Sequence, residues 1–586
     1  MNFFKSFLAS CLGTLVALIA ITVLGIVFLA ALAAGDEQVI VEENAVLHLK
    51  LDAPIAEMQS DDTFSGFPFA GNIQPIGLVQ LKQALKEAKT DDKVKGIYLE
   101  VSMPVAGYAT IDEVRDALLD FKKSGKWILA YSEMYSEKAF YLASVADKLY
   151  LNKEGDFEFN GLVIESEFYK KLFDKLEIKP QVFRVGEFKS AVEPFMLEKM
   201  SEDNRLQLTQ LIGSIYGHVL TNIAEARNIP VDKLTELSNK WLVKNGPEAQ
   251  AQGLIDSLVY YDEVLAELKT RVGDPDAKKV NFVKYGDYRK SFVPTAGSGS
   301  NEVAVIVAEG EIMPGKGDAN DGVIGSDTFA EEIRKAREDD DIKAIVLRIN
   351  SPGGSFEASD IMWREVDLAA KQKPVIASMS DVAASGGYYL AMAADTIVAR
   401  PTTITGSIGI FGVMFDLSSF LGNKLGITHD EVRTGEYGER YTVTRPLTEG
   451  EKHIWQSELD RHYETFTAKA AEGRGVTVEA IKKVGGGRVW TGTQAKDNQL
   501  VDILGGFDTA IEIAAAKAGI SDDYKVRYYP KRKPWIQELM EDLTGQAQTR
   551  AMKAELGEHY IWYKKWEQLQ HYGGAQARLP FDIQVN

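Results

Sequence analysis

At 586 residues, with 45% hydrophobic and 26% charged side chains, the chain has a globular composition and is too long for one ordinary domain. Its net charge of -19 argues against nucleic acid as a partner, because phosphate binding needs clustered Lys and Arg; peptides or small molecules are better candidates. The one cysteine, Cys11, excludes disulfides within the chain and leaves the body without a thiol to hold a metal.

From Phe7 to Ala34 no residue carries a charge. As a helix this run is about 42 Å long, more than the hydrocarbon thickness of a bilayer. A transmembrane anchor over about 7–34, within residues 1–44, is predicted. Lys5 in front of the run favours an N-terminus inside, which puts the body on the periplasmic or otherwise extracytoplasmic side of an inner membrane. The alternative is a cleaved signal peptide ending at Ala31-Leu32-Ala33; the anchor is preferred because signal cores usually run about 7 to 15 residues.

After the anchor, Ala45 to Leu51 reads as a strand and residues 53–77 as a long loop. Leu81, Leu85 and Ala88 are helix-spaced, and Val94 to Val101 is strand-like. The same helix-then-strand order returns at Phe329, Ile333 and Ala336 followed by Ile342 to Ile349. Tyr141–Asp147 (YLASVAD) matches Tyr389–Asp395 (YLAMAAD) at a displacement of 248 (395 − 147), and Arg184–Phe188 and Leu254–Asp256 find partners at nearly the same distance. Two copies of one α/β module follow, 45–293 and 302–529, joined by the linker 294–301. Each copy ends in a long predicted helix, near Glu202 to Arg227 and near Glu449 to Arg474. The tail 530–586, with Trp535, Trp562 and Trp566, is predicted helical and too polar to span a bilayer.

The differences between the copies carry the chemistry. Asn350-Ser351-Pro352-Gly353-Gly354 faces Ser102-Met103-Pro104-Val105-Ala106, Ser385-Gly386-Gly387 faces Glu137-Lys138-Ala139, and Ser407 faces Phe159. Where the first copy has side chains, the second has glycines that let another backbone come close. Gly353, Gly354, Gly386 and Gly387, with Ile408 beside the hydroxyl, are therefore candidate backbone donors to an oxyanion, and Ser407 is a candidate nucleophile. The second copy lacks a base: Lys189 aligns with Gly438. Lys189 from the first copy is the candidate general base, provided that burial lowers its pKa and that Glu187 and Glu193 face away. His429 and the other histidines show no metal-type spacing, and neither metal nor cofactor is expected.

Arg184–Phe195, Asn350–Gly354, Ala384–Tyr388 and Thr405–Gly412 together resemble the signal peptide peptidase A family in its long, duplicated form, also called protease IV. The family's nucleophilic serine falls on Ser407 and its base lysine on Lys189. The resemblance implies tandem crotonase-like or Clp-protease-like modules and a membrane-tethered homotetramer. Its implied substrates are signal peptides already released by signal peptidase, and it needs no cofactor. Two other readings stay open from the residues: a crotonase-like acyl-CoA enzyme, in which paired glycines polarise a thioester, and a non-catalytic membrane scaffold that binds peptides.

Overall fold

Two sheets repeat one order of parallel strands, the second also carrying Ile404–Gly406 and, antiparallel to it, Val489–Thr491. In the first, the order is Ser257–Leu258, Lys148–Phe157, Trp127–Tyr135, Val94–Glu100, Ala45–Lys50, Phe282–Lys284. In the second it is Ile503–Leu504, Thr396–Ala399, Val375–Ala384, Ile342–Ser351, Asn301–Glu309, Tyr524–Tyr529. Val94, Trp127 and Lys148 begin their strands 248 positions (342 − 94) before Ile342, Val375 and Thr396, the displacement already present in the sequence. The computed structural model describes residues 7, 12–20, 22–23, 39–58, 75–292, 299–317, 322–439, 441–529 and 575–579.

These strands are parallel because their runs are apolar on both faces: Ala344, Ile345, Val346 and Leu347 are all buried, as are Ile97, Tyr98 and Leu99. The covering helices show the complementary spacing. Leu78–Thr90 buries Leu81, Leu85 and Ala88, and Ser326–Glu338 buries Phe329, Ile333 and Ala336. The long helices span Glu202–Arg227 and Glu449–Arg474. Ser201 and Thr448 cap their first turns by accepting from Asn204 N–H and Glu451 N–H, and left-handed Asn228 and Gly475 end them.

A third sheet joins the modules. Its order is Val323–Gly325, Glu311–Met313, Gly353–Ser355, Gln576–Arg578, Ile410–Asp416, Lys179–Val185. The last strand comes from the N-terminal half and runs antiparallel to Ile410–Asp416, with Val185 opposite Ile410 and Lys179 opposite Asp416. A buried polar junction binds the halves a second time. Arg348 donates to Glu57 at 2.7 Å and to Glu113 at 3.1 Å, while Asp381 accepts from Thr110 N–H at 2.8 Å and Gly107 N–H at 3.0 Å. Breaking such a buried pair leaves an uncompensated charge, at a cost of about 3–5 kcal/mol.

Among the described residues no helix is long and apolar enough to cross a membrane. Of the predicted span 7–34, only 7, 12–20 and 22–23 are described, and they are helical; the rest lies outside the described residues. The expectation of a helical tail over 530–586 is corrected where it can be compared: Gln576–Arg578 is a strand. Gly353–Ser355 supplies an open backbone for it to pair with. Trp535, Trp562 and Trp566 lie outside the described residues.

Candidate active site

The inter-module strand pair brings Lys189 to Ser407. Lys179–Val185 runs along Ile410–Asp416 and ends beside Ile410, just past Ser407. The chain then turns at Gly186, with φ +105, where a Cβ would stand 2.4 Å from the Gly486 carbonyl carbon; only glycine fits. Phe188 N–H donates to Gly486 O at 2.9 Å, and Lys189 follows as the residue before the short turn Ser190–Val192. On the other side, Ser407 N–H donates to Arg488 O at 2.7 Å and Gly487 N–H donates to Ile408 O at 2.8 Å. These bonds hold Ser407 at φ 50 and its neighbour across the site, Ser385, sits at φ 54. Left-handed serines are strained, and the surrounding bonds must impose that geometry.

Lys189 Nζ lies 3.0 Å from Ser407 Oγ; it donates to Ser385 Oγ at 2.9 Å and to the Ser407 carbonyl oxygen at 3.3 Å. Lys189, Ser385 and Ser407 have no exposed surface. Burial alone holds the Lys189 amine well below its ordinary value of 10.5. The nearby carboxylates do not oppose this. Glu187 is exposed to solvent, and Glu193 is engaged by Ser201 and by Asn204 Nδ2 at 3.0 Å. Ala191, Val192 and Phe195 pack with Phe411 and Val413 in one apolar cluster, and the Phe411 ring centre is 5.8 Å from Nζ. Val185 and Phe188 are half-buried.

Three supports were not read from the sequence. The hydroxyl of Ser385 meets the amine, although that residue had drawn notice only for the glycines after it. Gly485-Gly486-Gly487 forms the floor under the lysine: at Gly487, with φ +83, a Cβ would lie 2.6 Å from Lys189 Cα. Gln207, on the helix Glu202–Arg227, donates to Phe188 O at 3.1 Å and Ser190 Oγ at 2.9 Å and accepts from Val489 N–H at 3.2 Å. The run of three glycines was a visible signal; Gln207 was one glutamine among several on a helix.

The five candidate oxyanion donors separate. Gly353 and Gly386 come together, a Cβ on Gly353 reaching 2.6 Å from Gly386 N. Gly353 N–H donates to Ser351 Oγ at 3.2 Å. Gly354 backs onto Ile312 O, Gly387 packs on Ser351 O, and Ile408 is buried with its carbonyl bound by Gly487. His429 is exposed.

The chain matches the model of Peptidase family S49 twice, over residues 120–273 and 367–521. It is 35% identical over 500 residues to the chloroplastic serine protease SPPA of Arabidopsis thaliana, covering 84% of this chain and 72% of that protein. It is 33% identical to protease 4 of Haemophilus influenzae, covering 82% and 80%, and 35% identical to protease 4 of Salmonella typhi, covering 82% and 78%. The chain belongs to Peptidase family S49 and is a serine-type endopeptidase. Within the family it has the long, duplicated layout of signal peptide peptidase A.

Proposed function

We propose that the chain is a membrane-anchored endopeptidase whose dyad is Ser407 and Lys189, the C-terminal module supplying the hydroxyl and the N-terminal module the amine. The observation that carries this reading is the 3.0 Å between Nζ and Oγ, with the amine buried and no carboxylate against it. Neutral Lys189 takes the proton from Ser407 Oγ as that oxygen attacks a peptide carbonyl. The oxyanion develops beside the Gly386 backbone, next to Gly353. When the C–N bond breaks, the ammonium returns its proton to the leaving nitrogen, and Ser407 is left acylated. Water then gives a proton to Nζ, attacks the ester and releases the acid, and the proton returns to Oγ.

Substrates are extended apolar peptides, remnant signal peptides among them. The uncharged run Phe7–Ala34 supports an anchor that keeps the body at the extracytoplasmic face. The family resemblance extends the proposal to a homotetramer. The test is hydrolysis of an apolar peptide together with fluorophosphonate labelling of Ser407. Ser407→Ala and Lys189→Ala are each expected to lower hydrolysis by at least about a thousandfold with circular dichroism unchanged. Retention of cleavage by either variant refutes the dyad.

A further inference from the structure

One cation beside the dyad has no anion. Arg488 lies where the two modules meet: its carbonyl oxygen accepts from Ser407 N–H at 2.7 Å, and its guanidinium carbon stands 4.8 Å from the ring centre of Phe188, the residue before Lys189. Trp490, two positions along an extended chain and so turned the same way, brings a second ring to 4.2 Å. The strand that carries Trp490, Val489–Thr491, is fixed to the helix Glu202–Arg227, where Gln207 accepts from Val489 N–H at 3.2 Å and the hydroxyls of Ser214 and Thr491 meet at 2.9 Å.

Other arginines of low exposure spend their charge or their donors. Arg348 closes on Glu57 and Glu113, Arg400 on Asp116, Arg445 on Glu451 and Arg474 on Asp502, while Arg115 donates to Tyr141 O and Ser144 Oγ. Arg488 does neither. Among the described residues its one hydrogen bond runs from Nη2 to Gln210 Oε1, Nε has no partner, and no carboxylate is paired with it. Burial pulls it below its ordinary value of 12.5 with no opposing cause, the mark of a cation that has lost water and gained no counter-charge. Two rings hold the planar group in place, and Phe188, Arg488 and Trp490 are all half-buried, so solvent reaches them. A guanidinium set up in this way fits a carboxylate, whose oxygens match its fork of donors.

We propose that Phe188, Arg488 and Trp490 form a subsite for a peptide carboxylate, filled by the C-terminal end of the substrate or by an acidic side chain near that end. The guanidinium is one side chain's length from the backbone that holds Ser407. A carboxylate bound there therefore lies within a few extended residues, at about 3.3 Å each, of the bond being cut. A peptide already released by another peptidase carries such an end, and an intact chain running on past the site does not. This subsite rests on the reading above that peptides are cut at Ser407.

The test uses the full chain and one apolar peptide in three forms: a free C-terminal acid, the C-terminal amide, and the amide with glutamate as its last residue. In the wild type kcat/KM for the acid is expected to be about tenfold above that for the amide, through KM, and in Arg488→Gln the two values converge. The ratio is read within each protein, so a slower variant still answers. A third form that behaves as the acid means that either carboxylate fills the subsite; one that behaves as the amide means that the chain end alone does. A wild type that prefers neither carboxylate form, or a preference that survives in Arg488→Gln, overturns the proposal. Calorimetry with the Ser407→Ala protein repeats the comparison without turnover and with Arg488 in place: about tenfold tighter binding of the acid supports the subsite, and equal affinities overturn it. Failure of the dyad reads differently, as cleavage of the amide that persists in Ser407→Ala.

Discussion

Replacing Lys189 by methionine tests the base without measuring catalysis. The side chain keeps its reach and loses its amine. In the unfolded chain that amine has its ordinary value of 10.5, and in the folded chain burial lowers it well below that. Between those two values the unfolded state binds the extra proton, so wild-type stability falls as pH is lowered from 10.5, by about 1.4 kcal/mol per pH unit. The Lys189→Met variant lacks this loss. It has a separate cost that does not depend on pH, since Ser407 Oγ and Ser385 Oγ lose the donor they share, at about 1 kcal/mol each. The variant is therefore the less stable protein near its lysine's ordinary value and gains on the wild type as pH falls. It gains about 1.4 kcal/mol on the wild type for each pH unit from 10.5 down toward the lysine's lowered folded value. Urea titrations of the two proteins at a series of pH values, followed by tryptophan fluorescence, measure the difference directly. A difference that stays flat with pH means that the lysine enters the folded protein charged, and a charged lysine cannot accept the proton of Ser407.

Two further substitutions probe the supports of the pair. Ser385→Ala removes a hydroxyl that accepts from Nζ at 2.9 Å, a bond worth more to the ammonium than to the neutral amine, so the acid limb of the pH-rate profile is expected to move to lower pH with a kcat about tenfold down; a limb that stays put refutes the contact's role in tuning the amine. Gly487→Ala sets a methyl 2.6 Å from Lys189 Cα at a backbone angle unsuited to it. The lysine must shift, and kcat/KM is expected to fall about a hundredfold. Gly475→Ala is the control, equally left-handed at φ +63 but with open space around it, and it should cost stability while leaving kcat/KM in place.

The parallel strands and long helices were legible because their signals are local and long: apolar runs for strands buried on both faces, capped periodic stretches for Glu202–Arg227 and Glu449–Arg474. Lys189 and Ser407 were legible for another reason, since each copy could be read against the other and the losses were reciprocal. The third sheet was hidden. Gly353–Ser355 and Gln576–Arg578 are three residues long with no alternation to read, and such strands take their identity from partners that are remote in sequence. The role of Gly487 was hidden in the same way: glycines announce a close approach without saying what approaches. Gln207 gave no signal, because its carboxamide acquires meaning only when Phe188, Ser190 and Val489 are folded around it.

The strand pair between the halves does more than hold them together. In an antiparallel ladder a slip of one residue turns every side chain to the opposite face and moves the backbone by about 3.4 Å. The amine and hydroxyl lie 3.0 Å apart, so either consequence takes Nζ out of reach of Oγ. The register that places Val185 opposite Ile410 is thus a condition for the proton transfer proposed above, as much as for the fold. Gly186 and Gly409 sit just beyond that pairing, where the two chains turn toward each other and where no larger residue fits: a Cβ on Gly409 would meet Gly487 Cα at 2.8 Å and Lys189 Cδ at 3.2 Å. The proposed proton transfer therefore depends on a ladder and two turns that contain neither reacting group. Where the first copy has Lys189 the second has Gly438, and where the second has Ser407 the first has the buried Phe159.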